Sequence, residues 1–403
     1  MFSAWSKRVR IRVDALKWRL TRLFLTWIPI SWRVAENDRF ISQHEYHNLL
    51  AEGMIQGFEQ ASIKLEDVPE ALEKLKPEYP NFVKIIGDQQ YVGLTNWTPV
   101  IIRSRKAQMK RFRKTHNALW GKGLTKLQAL IVAATEIGEE ANRALRSEDK
   151  PERRARVEVL TRLHARSIYL AQEIHCLMDN GYPDGALARW RALHEIAVVS
   201  NFLAMGPDDQ IARYFEHNAI ESWKAAEEFN AHAAANKEIS FPPDHMAKLK
   251  ARYEELEQKY GKSYTQQYGW AAESLKLNYR FGLGELEKAA GLEHWRPHYR
   301  MASHPTHANA KGIRFQLGDF DGSGVLVAGP SNYGLLDPAQ CAAGSVFYCT
   351  LPLLNLRDDL YALVMKHILL KFVDDVGAEF FNVQEMMKGH DAAPALTESP
   401  DGL

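Results

Sequence analysis

The stretch "DGALARWRALHEIAVVSNFLA", Asp184–Ala204, decides how this chain folds. At about 100° per residue, Ala186, Trp190, Leu193 and Ala197 fall on one apolar stripe. Beyond Glu195 the apolar residues run nearly all the way round: Ile196, Val198, Val199, Phe202 and Leu203. A helix apolar on all sides belongs at the centre of a domain, with other elements packed around it. Its limits are written beside it. "DNGYPDG" (179–185) stops one helix and opens the next, and "MGPDD" (205–209) closes it. Arg191, His194 and Glu195 share one flank, and Arg191 and Glu195 are spaced for an ion pair. Charges beside a core are costly unless paired. The flank therefore reads either as a structural network that fixes helix register or as a polar pocket at the domain centre.

The neighbouring segments are also helical. "LTKLQALIVAATEIGEEANRAL" (124–145) repeats apolar residues at three- and four-residue spacing. A helix over about 152–178 follows, with Pro151 in its first turn. After Asp184–Ala204, a helix capped by Asp208 or Asp209 is expected to continue through "IARYFEHNAIESWKAAEEFNAHAA" (211–234). "HMAKLKARYEELEQKYGK" (245–262) reads as a charged, largely exposed helix. Short helices separated by Gly282, Gly284 and Gly291 fill 264–314. A long apolar helical region over 337–387 should kink or split at Pro352.

Other segments carry different patterns. "NFVKIIGDQQYVGLTNW" (81–97), among Pro69, Pro77, Pro80 and Pro99, has the β-branched and aromatic content of a short strand or ordered loop. "IRFQLGDFDGSGVLVAGPSNYGLLDP" (313–338) reads as a Gly-rich loop or small hairpin. The expected fold is mainly α: a multi-helix bundle with a small irregular or β connector and one Gly-rich loop or hairpin. The expected organisation is a basic, Trp-rich N-terminal helix (1–40), a connector module (41–102), a main helical domain (103–388) and a mobile tail (389–403).

Composition narrows the function classes. The 403 residues are 46% hydrophobic and 25% charged, with net charge +1, so no overall basic field draws nucleic acid. Three cysteines without pair spacing (Cys176, Cys341, Cys349) argue against a disulfide framework and fit a reducing cytoplasm. At the N-terminus, Lys7, Arg8, Arg10, Arg12, Lys17, Arg19 and Arg22 alternate with Trp5, Trp18, Trp27 and Trp32. The apolar run 23–32 is too short to span a bilayer, which takes about 20 residues, so no transmembrane span is expected. Residues 1–32 read as a helix that packs on the domain or on a second subunit in a homo-oligomer. The alternative is an interfacial helix on an anionic membrane surface.

Phosphate-loop, GxSxG, paired CxxC and HExxH signatures are absent; "HEYH" (44–47) is one residue short. The strongest polar cluster is "EHWRPHYRMASHPTHANAKG" (293–312). Helical register puts Arg300 and His304 on one face, with His307 a turn on. No carboxylate or third histidine has a fixed spacing to complete a metal set, so no metal and no cofactor are expected. A solvated helix end is one reading. The other is a proton-transfer site with Arg300, His304 and His307 as catalytic residues, histidine as acid or base and arginine on an anionic phosphate.

That second reading resembles the HEPN-type helical ribonucleases, which carry an Arg, then four to six intervening residues, then a His. Arg300 and His307 have six residues between them; Arg39–His44, Arg111–His116 and Arg189–His194 have four. Met301, Phe40, Phe112 and Trp190 stand where those enzymes place a polar residue. A second resemblance covers about 103–376. "HCLMDNGYPDGALARWRALHEIAVVSNFL", "ARYFEHNA", "ASHPTHANAKGI" and "GPSNYGLLDPAQCAA" occur in the order of a bacterial helical family known only as a domain of unknown function. The resemblance implies a polar pocket from Arg189, Arg191, His194, Glu195, Arg213, His217, Ser303 and Asn332, with His304 and His307.

Together these resemblances imply an intracellular bacterial effector in a toxin or phage-defence setting. It would act as a metal-independent ribonuclease, with RNA as partner. The alternatives are a non-enzymatic binding or scaffold protein peripheral to the inner membrane, or a sensor of an anionic ligand through Arg189, Arg191 and Arg213. The expected location is the cytoplasm.

Overall fold

The computed structural model describes residues 70, 73, 79–148, 150–307, 310–312 and 328–391. The N-terminal segment 1–40 with the proposed lipid- or subunit-contacting residues 1–32, "HEYH", most of the connector, residues 313–327 of the Gly-rich loop and the tail from 392 lie outside them. The chain divides into two compact units, Met1–Phe112 and Arg113–Leu403. The described residues form ten α-helices and no strand. None of these helices is long and apolar enough to cross a membrane.

Helix α1 is Tyr79–Ser147, and its residues up to Phe112 belong to the first unit. The strand or loop expected at 81–97 is therefore helix. Intrinsic propensity is a weak prior, and a long helix overrides it. Pro99 sits inside α1 without ending it, and the Thr95 hydroxyl donates to the Tyr91 carbonyl one turn earlier (2.7 Å).

In the second unit, α2 (Arg154–Asp179) and α3 (Pro183–Met205) lie side by side. Helix α9 (Leu336–Asn355) packs on both, and α10 (Leu360–Asp391) packs on α9. The apolar Asp184–Ala204 stretch is thus the central helix that its sequence requires. Ala186, Leu187, Trp190, Leu193, Ala197, Val198 and Leu203 are wholly buried. Gly181, with φ of 78°, makes the reversal from α2 into α3.

Two helices break elsewhere than their sequence suggests. The helix expected from Asp208 onward is two, α4 (Asp208–Glu216) and α5 (Asn218–His232), parted at His217. Neither aspartate caps α4; Asp208 accepts from Arg156 (2.7 Å) and Asp209 from Arg213 (3.0 Å). Pro352 lies within α9, and the split comes instead at 356–359. There Arg357 pairs with Asp359, and the Asp359 carboxylate accepts from the Ala362 amide (2.8 Å). Helix α6 (Pro243–Tyr260) buries only Leu256, as its charge pattern implies. Helix α7 (Leu283–Ala289) and the six-residue α8 (Arg296–Met301) follow, before α9.

Helices α1 and α2 meet at Gly138, where an added Cβ would collide with the His164 ring. The His164 Nε2–H donates to the Thr350 hydroxyl (3.2 Å), which itself donates to the Val346 carbonyl (2.9 Å). Burial pushes this imidazole down from 6.5 to about 4. The unfolded chain therefore takes up the proton first. The stabilisation is full above pH 6.5 and is lost as the pH falls toward 4, on the order of 3 kcal/mol. Urea melts of wild type and His164→Gln from pH 7 to 4 should show a shallower decline in the variant; parallel curves would contradict the assignment. Gly138→Ala should cost about 2 kcal/mol or more through overpacking.

Candidate functional site

Helix α3 carries the site. Trp190 is wholly buried, and its indole N–H donates to the Ser345 hydroxyl of α9 (2.8 Å). Trp295, on the short turn Glu293–Trp295 before α8, packs against Trp190 with ring centroids 6.1 Å apart. Gly344 of α9 leaves room for the Trp295 ring; a Cβ there would come within 2.8 Å of it. This contact brings α8 up to α3.

One turn on from Trp190, His194 Nε2 meets a Glu287 carboxylate oxygen of α7 at 3.0 Å. Both side chains are 1% exposed. Arg296 of α8 forms an ion pair with the other Glu287 oxygen. A buried carboxylate is tolerable only with compensating charge and hydrogen bonds. Here one partner comes from α3 and the other from α8, so Glu287 ties three helices together. Arg191 lies over the Tyr299 ring (4.8 Å) and donates to its hydroxyl (3.3 Å). The expected Arg191–Glu195 pair is not formed, because Glu195 instead accepts from the Tyr268 hydroxyl (2.8 Å).

Glu195 and Tyr268 also line an open cleft of about 520 Å³. Tyr214, Phe215 and Trp270 supply its aromatic wall; the Tyr214 and Trp270 rings meet edge-on at 4.9 Å. His217 and Glu221 stand at the α4–α5 junction. His217 Nε2 lies 3.0 Å from the Tyr264 carbonyl and 2.9 Å from the Gln266 carbonyl. A carbonyl only accepts, so Nε2 carries the proton and Nδ1 keeps a lone pair. Nδ1 lies 3.7 Å from a Glu221 oxygen. Burial pushes the His217 imidazole below its ordinary value, against the raising effect of the Gln266 carbonyl and Glu221. Burial and the Glu195 charge raise the phenols of Tyr214 and Tyr268, which stay protonated donors.

The residues read from the sequence are thus partly gathered. Arg191, His194 and Glu195 meet around α3, and His217 reaches the cleft that Glu195 lines. Arg189 pairs with Glu173. Arg213 pairs with Asp209 and Glu273 and lies over the Tyr260 ring. Asn332 is held elsewhere: its carbonyl accepts from the Trp120 indole (3.0 Å), and its side chain meets His116 (2.8 Å). Ser303 donates to the Tyr299 carbonyl (3.0 Å). Arg300 and His307 are exposed, and His304 between them is half-buried. Among the described residues no group of three or more His, Cys, Asp or Glu is placed to hold a metal ion.

Glu287, Arg296, Tyr268 and Tyr299 are not among the site residues expected from the sequence. A signal was present for one of them. Glu287 stands four residues after Leu283 and one after Leu286, on the apolar side of α7. A carboxylate in that register is buried and needs a partner.

Glu287→Ala should lower stability by about 3–5 kcal/mol, because it leaves Arg296 and His194 uncompensated. The triple change His194→Leu, Glu287→Leu, Arg296→Met should recover most of that loss. Chemical melts check both; a Glu287→Ala protein as stable as wild type would remove the carboxylate from this role.

Residues 157–324 match the model of a family described as a family of unknown function (DUF5677). The match takes in most of α2, all of α3 and α8, and every residue of the cleft. No curated protein and no solved structure matches the chain. Nothing in these comparisons carries the likeness to HEPN-type ribonucleases, which rests on the Arg–His spacing alone.

Proposed function

We propose that this chain is a ligand-binding protein whose cleft between α3, α4 and the 267–270 turn takes a small organic cation. The supporting observation is the cleft lining. It holds two carboxylates, Glu195 and Glu221, beside the rings of Tyr214, Phe215, Tyr268 and Trp270, and neither Lys nor Arg lines it. Aromatic faces attract an ammonium group through their quadrupole, and a partly desolvated carboxylate adds a charge-assisted contact. The arginines of the anionic-ligand reading are engaged with other partners, Arg189 and Arg213 with carboxylates and Arg191 with Tyr299. Neutral His217, with its tautomer fixed, offers Nδ1 as an acceptor for an N–H of the same ligand.

The test is calorimetry with choline and putrescine, and with inorganic phosphate and acetate as anionic probes. One of the cations should bind, and Glu195→Gln should weaken it tenfold or more. The glutamine still accepts from Tyr268, so the fold is retained. Phosphate binding in place of both cations would reverse the sign of the ligand and refute the proposal.

A second reading is a metal-independent ribonuclease in a toxin or phage-defence setting, with Arg300, His304 and His307 at its centre. Its support is that Arg300 and His307 are exposed on one short helix and the turn after it, where a phosphodiester has access. Labelled RNA should be cut by wild type and left intact by His307→Ala, with EDTA making no difference. Equal cleavage by both proteins would remove His307 from the chemistry.

A further inference from the structure

We infer that the face of α1 carrying Arg103, Lys106 and Lys110 binds the phosphate backbone of nucleic acid. The segment Arg103–Arg111 holds Arg103, Arg105, Lys106, Lys110 and Arg111, and all five are exposed. Arg103, Lys106 and Lys110 follow at i, i+3 and i+7, which confines them to about 60° of helix circumference. At about 1.5 Å per residue they span roughly 10 Å. A duplex presents one phosphate charge per about 1.7 Å of axis, so several phosphates lie within reach of such a row.

Nothing in the helix neutralises these cations. The sequence has no Asp or Glu between Asp88 and Glu136, so no carboxylate stands three or four residues from any of them. Among the described residues none of the five is in an ion pair; Arg105 donates to Gln108 (3.1 Å), an uncharged partner. Like charges at these spacings destabilise a helix by a few tenths of a kcal/mol per pair. A polyanion offsets that repulsion, and release of its counterions drives binding. The chain's net charge of only +1 makes this a local feature rather than a general basicity.

A membrane surface fits less well. An interfacial helix lays a free apolar face into the bilayer. Opposite the cationic row, Ile101 and Phe112 are half-buried rather than free, and exposed Arg105 lies within about 40° of both. Insertion on that side would carry a guanidinium into the acyl region. The inference does not rest on the cleft or on the ribonuclease reading.

The experiment is fluorescence anisotropy of the full chain with a labelled 24-base-pair DNA duplex and a labelled 24-nucleotide oligouridylate, from 50 to 200 mM NaCl. The triple variant Arg103→Gln, Lys106→Gln, Lys110→Gln keeps good helix formers in place. The control, Lys248→Gln, Lys250→Gln, Lys262→Gln, removes the same charge from α6 and the turn after it. We expect wild type and control to bind alike. The α1 variant should bind at least tenfold more weakly at 100 mM salt, with the log–log salt slope on the duplex shallower by about 2–3. No binding by wild type to either probe at 50 mM salt would overturn the inference. So would equal binding by the α1 variant, or binding only to phosphatidylserine vesicles.

Discussion

The arrangement of the second unit depends on one buried carboxylate. Glu287 is fully buried, and such a group is costly unless its charge is met. His194 meets it from the central helix and Arg296 from the short helix α8. Neither α7 nor α8 is long enough to stand alone in water, and the shared carboxylate fixes both against α3. Trp295 completes the attachment by lying over Gly344, while Trp190 is pinned to Ser345. Once α8 is in place, Tyr299 stands under Arg191. Arg191 is then no partner for Glu195, which turns to Tyr268 on the cleft wall.

That division of partners gives the cleft its chemistry. A Glu195 paired with Arg191 would be electrically silent. Partnered by a neutral phenol, it keeps its charge, and Glu221 adds a second. His217 plays a parallel part at the other wall. Its Nε2–H bonds to the carbonyls of Tyr264 and Gln266 hold the 262–271 segment against the junction of α4 and α5. The same bonds fix which nitrogen faces away. Structural and binding roles are thus divided between neighbours on the same helices: His194 is sealed in the core while Glu195 reaches the cleft.

How much of this was legible in the sequence depended on the range of the interactions involved. The position of α3 was legible because an all-round apolar helix bounded by "DNGYPDG" and "MGPDD" has only one place to go. The charged character of α6 was legible for the converse reason. The helical state of 81–97 was not, because its β-branched residues and nearby proline are local signals that the length of α1 overrides. The break at His217 was not legible either, since it is held by carbonyls about fifty residues downstream. The Arg191–Glu195 spacing was correct for a pair, but tertiary partners won both side chains. The histidine cluster at 294–307 is the densest in the sequence. The buried site is instead built on Glu287, a single carboxylate on the apolar side of a seven-residue helix.

The central claim is that an acidic, aromatic cleft on the central helix receives a cation. A crystal structure of the protein grown with choline or putrescine tests it most directly. The account predicts the ligand's nitrogen beside the Glu195 carboxylate and over the Tyr214 or Trp270 ring, with Tyr268 still donating to Glu195. An empty cleft with Glu195 turned onto Arg191 would contradict it.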